Sequence, residues 1–122
     1  GGAIMFAVSG PVQCGLMSSA AAVLREALAG TPIKGAVLPG FRNVTAAAEN
    51  ASDKLRTNLV EQVTARVRWR ESLLAMQAAG CGLYIELGTG KVLSGLVKRS
   101  LDAASVVNLD GPDDLDSVLA AL

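Results

Sequence analysis

The sequence predicts an α/β fold with a mostly parallel sheet of three to four strands flanked by five helices. Three observations carry that reading. Short apolar runs of strand length alternate with longer stretches of helical periodicity. The first of these runs, residues 3–8, is apolar along its whole length, as strands buried on both faces are. The tract Tyr84-Ile85-Glu86-Leu87-Gly88-Thr89-Gly90-Lys91-Val92-Leu93 passes from strand chemistry through a Gly-x-Gly turn into a helical pattern.

The first run, Ala3-Ile4-Met5-Phe6-Ala7-Val8, is bounded by Gly2 and by Ser9-Gly10-Pro11 and suits a central strand. A helix capped at Ser18 or Ser19 runs to about Ala29, with Ala20, Val23, Leu24, Ala27 and Leu28 on one face and Gly30 as its stop. Residues 31–42 carry two prolines and two glycines, which makes them a loop with a short extended piece at Ala36-Val37-Leu38. Asn50, Ser52 and Asp53 are candidate caps for a helix from about Lys54 to Thr64. A further helix spans Arg70 to Ala79 and stops at Gly80. A strand from Gly82 to Leu87, a helix from Lys91 to Ala104, a short strand from Ser105 to Asn108 and a helix from Asp113 to Leu122 complete the pattern. Asp113, Asp114 and Asp116 suit the positive end of that last helix better than they suit a metal.

Composition narrows the function. Lysine plus arginine equals aspartate plus glutamate at 11 each, so no long-range field draws nucleic acid. No apolar run approaches the roughly 18 residues of a membrane span, so no membrane insertion is expected. Two cysteines, Cys14 and Cys81, form no Cys-x-x-Cys pair and point to a reducing compartment, cytoplasmic or, after processing, the mitochondrial matrix or plastid. Cys81 is expected in buried packing. Asn43-Val44-Thr45 and Asn50-Ala51-Ser52 match the glycosylation pattern by coincidence. The sequence contains no histidine, which removes histidine-based triads, histidine-bearing zinc sites and imidazole proton transfer from this chain. No metal or cofactor is expected.

The Gly-x-Gly tract is not a dinucleotide fingerprint, because Leu93 stands where a third glycine would be, nor a phosphate loop, because Val92 follows Gly90-Lys91. The amides opening the helix behind it could face an anion or a partner backbone. Arg66, Arg68 and Arg70 alternate around Trp69 and read as a solvated, strand-like edge beside a buried tryptophan.

Four pieces of sequence, in this order and spacing, together carry a resemblance: Val8-Ser9-Gly10-Pro11 with Leu16-Met17; Asn43-Val44-Thr45; Gln62-Val63-Thr64 through Val67-Arg68-Trp69; and Glu86-x-Gly88-x-Gly90-Lys91-Val92-Leu93-x-Gly95-Leu96-x-Lys98-Arg99. The chain resembles the C-terminal part of the malonyl-CoA:acyl carrier protein transacylase family, most clearly over residues 4–99. The resemblance implies that the whole chain is a single or partial domain of an acyltransferase-type, α/β hydrolase-like fold. It also implies ping-pong acyl transfer from coenzyme A to a carrier protein through a serine that a histidine activates. The serine elbow, oxyanion donors and malonyl-binding arginine of that family would precede the part covered here.

By the same resemblance, Gln13 occupies the family's histidine position, and Gln62 matches a glutamine that orients the histidine. Glutamine cannot take a proton near neutral pH, so Gln13 implies a lost general base; a drifted turn is the alternative. Gln62 shares a helix face with Leu55 and Leu59, where its amide meets either Gln13 or a local carbonyl. Cys14 is a candidate nucleophile without a base. Three roles follow: a non-catalytic structural or docking subunit of a larger assembly, with no catalytic residue of its own; a fragment of an active S-malonyltransferase of fatty acid biosynthesis; and, least supported, a small enzyme using Cys14. The expected partners are another chain covering the apolar faces and an acyl carrier protein.

Overall fold

The computed structural model describes residues 10–122, which form two compact units, residues 10–68 and 69–122. The expected strand Ala3–Val8 lies outside the described residues.

In the first unit a single turn of 3-10 helix over Gly15–Met17 leads into helix α1, Ser18–Ala29. The expected helix is present but rotated. Its buried residue is Ala21, while Val23 is 68 % exposed and Ala20 and Ala27 face solvent. The extended piece Ala36-Val37-Leu38 is not a strand: among the described residues it makes one backbone bond, Ala36 N–H to the Asn50 carbonyl at 2.9 Å, and Val37 and Leu38 are exposed. Pro39 has no N–H to continue a ladder. Pairing begins beyond it, between β1 (Gly40–Phe41) and β2 (Ala48–Glu49), two short antiparallel strands.

Helix α2 covers Ser52–Glu61, two residues ahead of the expected start. None of the candidate caps makes a capping bond. Just ahead of the helix, Glu49 Oε1 accepts the N–H groups of Asn50 and Ala51 at 2.9 Å each. Leu55, Val60 and the polar Asn58 are its buried residues.

The second unit holds α3 (Trp69–Ala78), β3 (Leu83–Leu87), α4 (Val92–Ser100), β4 (Ser105–Leu109) and α5 (Leu115–Leu119). β3 and β4 pair in parallel, from Leu83 opposite Ser105 to Leu87 opposite Leu109. This is a small parallel sheet of the expected kind, but among the described residues it has two strands rather than three or four. Leu73 of α3, which is 2 % exposed, packs with Val97 and Leu101 from the end of α4. Trp69, Met76, Tyr84 and Val106 close around them. α4 ends at Ser100 because Leu101, in extended conformation, turns inward to join this core; the expected run to Ala104 would have pointed it elsewhere. The last helix is likewise shorter than expected and follows a 3-10 turn at Pro112–Asp114. There Asp114 Oδ2 accepts the Asp110 and Gly111 amides at 3.0 and 3.1 Å, which gives the acidic cluster a backbone role.

No group of three or more His, Cys, Asp or Glu side chains among the described residues is placed to hold a metal ion. None of the helices described is long and apolar enough to cross a membrane.

Candidate functional site

The turn before α1 and the end of α2 meet at a cleft of about 350 Å³ lined by Val12, Gln13, Met17, Asn43, Gln62, Val63, Ala65, Arg66 and Val67. The two residues that the sequence singled out, Gln13 and Gln62, therefore line one cleft.

Each is placed by local backbone chemistry. Gln13 has φ of 43°, in the left-handed region that a side chain other than Gly, Asn, Asp or His adopts reluctantly. The strained turn puts Gln13 at the exposed lip, immediately ahead of the 3-10 turn that Met17 closes by donating to the Cys14 carbonyl at 3.0 Å. Gln62 is the residue that ends α2; its N–H donates to the Asn58 carbonyl at 3.0 Å, and its half-buried side chain stands on the cleft wall. Neither side-chain amide has a hydrogen-bond partner among the described residues, so neither expected arrangement, a bond between the two or one from Gln62 to a local carbonyl, is found there.

Asn43 enters the cleft through a support that sequence reasoning missed. Arg68 donates its backbone N–H to the Asn43 carbonyl and its Nη1 to the Thr45 carbonyl, both at 2.9 Å, which clamps the loop between β1 and β2. Ala46, at φ of 53°, completes the turn by donating to the Arg42 carbonyl at 2.8 Å. The expected solvated edge is thus corrected: Arg68 is a half-buried clamp, Trp69 and Arg70 open α3, and only Arg66 of the three arginines lines the cleft.

Cys14 is half-buried beside the cleft but does not line it, and no base adjoins it. Cys81 is exposed, contrary to expectation, because it lies in the turn after α3, where its carbonyl accepts the Tyr84 hydroxyl at 3.3 Å. Burial and then the nearby Cys81 raise the Tyr84 pKa above its ordinary value.

In the second unit the Gly-x-Gly tract has the positive φ that its glycines permit, 121° at Gly88 and 89° at Gly90. Its helix amides are taken by a side chain of the same unit. Glu86, at the end of β3, turns its own carboxylate onto them: Oε1 accepts Leu93 N–H at 3.0 Å and Oε2 accepts Ser94 N–H at 2.8 Å. The Asn108 amide, on the neighbouring strand, donates to the Gly90 and Glu86 carbonyls at 2.9 and 3.3 Å and holds the loop shut. The Glu86 pKa is lowered by the Ser94 hydroxyl first, then by the Ser94 and Leu93 amides. A polar strand-end residue just before Gly-x-Gly was the clue to this internal cap.

Chemically, the cleft offers amide donors and acceptors, one guanidinium and an apolar floor, and no group that exchanges a proton near neutral pH. It can bind and orient a polar ligand.

No family model matches the chain. It is 36 % identical over 120 residues to the malonyl CoA-acyl carrier protein transacylase of Bacillus subtilis (strain 168), covering 98 % of this chain and 38 % of the relative. Among solved structures, the malonyl-CoA:acyl carrier protein transacylase of Xanthomonas oryzae pv. oryzae superimposes with a TM-score of 0.88 at 37 % identity, over 95 % of this chain and 37 % of that one. A malonyl-transacylase solved in complex with a type II polyketide synthase acyl-carrier protein gives 0.89 at 32 % identity, over 96 % and 38 %. The chain spans about two fifths of the length of the relatives it matches. Matched along nearly its whole length, the chain is a homologue of about two fifths of the length of the malonyl CoA-acyl carrier protein transacylases.

Proposed function

We propose that this chain supplies the Gln13–Gln62 cleft to a transacylase-type assembly and is non-catalytic by itself. The observation that carries the reading is Gln13: it stands on the cleft with Gln62, at the position where the family resemblance calls for histidine, and an amide cannot act as general base. The chain then serves as a structural or docking subunit, with a carrier protein as the cargo-bearing partner. A relative captured with its acyl-carrier protein supports that choice of partner.

Two features support dependence on a further chain. A two-stranded parallel sheet is marginal alone, and we read β3 and β4 as neighbours in a wider sheet of an acyltransferase-type, α/β hydrolase-like fold. Large apolar side chains also remain open, Val37 at 98 % and Leu16 at 81 % exposure among them. Two free thiols, Cys14 and Cys81, favour a reducing compartment, cytoplasmic or organellar.

A second reading is that the chain is a portion of an active malonyl-CoA:acyl carrier protein S-malonyltransferase. A match along 98 % of its length favours it. The two are separated by pairing the chain with the remaining residues of the Bacillus subtilis relative and following malonyl transfer to carrier protein. With Gln13 in place the non-catalytic reading expects background transfer, and Gln13→His, which restores a base, should raise it by about 10²-fold or more. Transfer by the Gln13 form at the rate of the Gln13→His form would sink the non-catalytic reading and leave the active fragment.

A further inference from the structure

We draw no further inference here: the strongest candidate, the apolar groove that α3, β3 and α4 of the second unit form with Trp69, Leu73, Met76, Tyr84, Leu93 and Val97 along its walls, is an unpartnered apolar face, and nothing in the structure shows what covers it.

Discussion

Glu86 and Ser94 are joined across the Gly-x-Gly turn by a 2.8 Å bond from the Ser94 N–H to a carboxylate oxygen at the end of β3. The strand thereby caps the helix that follows it. With Leu93 donating to the other oxygen at 3.0 Å, the carboxylate fills the anion site that a helix N-terminus presents.

The pH dependence of this cap has a definite sign. Its ionised form accepts both amides, and the Glu86 pKa lies below its ordinary value of 4.5 in the folded chain. Its contribution is therefore fully present above about pH 4.5 and is lost as the pH falls through the lower, folded value. Thermal melts of the natural chain and Glu86→Gln should differ at neutral pH, the variant melting lower, and should converge on acidification. A constant difference across that range would show that the charge is not what the helix uses.

The turn itself depends on Gly88. At φ of 121° it lies where L residues rarely go, while an added Cβ would have nothing within 4 Å. Gly88→Ala should cost about 1–3 kcal/mol from backbone strain alone. Gly82→Ala is the control: its site is equally open and its φ is unexceptional, so its effect should stay within about 0.5 kcal/mol. Denaturant unfolding of the two variants checks the contrast.

These elements show what was legible in the sequence. Strand, turn and helix at residues 83–100 could be read because apolar runs, two glycines and helical spacing agree there. Gln13 and Gln62 were picked out for a shared site, and they share a cleft. What escaped was the destination of long polar side chains: Glu86, Glu49 and Arg68 each bond to backbone groups in their surroundings, and residue spacing alone does not say where a flexible side chain ends. The buried face of α1 was misjudged for a related reason. Ala-rich helices carry apolar residues on several faces, so periodicity chooses weakly among them.

Arg68 gives the third prediction. Its Nη1 bond to the Thr45 carbonyl and its N–H bond to the Asn43 carbonyl hold the loop that brings Asn43 to the cleft. Arg68→Ala keeps the backbone bond and removes the charged one, at a cost of about 1.5–3 kcal/mol. Hydrogen exchange should quicken first at residues 43–47. Unchanged exchange there with lowered global stability would place the role of Arg68 in packing instead.

Gln13 gives the last. A left-handed backbone at φ of 43° favours Gly and Asn over Gln, since Asn bonds to its own backbone there and Gly has no Cβ to clash. Gln13 is exposed and its side chain has no hydrogen-bond partner among the described residues, so removing it breaks no hydrogen bond described there. Gln13→Asn should therefore stabilise the chain by about 0.5–1 kcal/mol, as relief of a mild local strain does. If Gln13→Asn instead destabilises, the glutamine amide is bonded in solution, most directly to its cleft neighbour Gln62. Gln62→Ala would then lower stability by a similar amount, and the double variant would cost little more than either single one, the signature of a coupled pair.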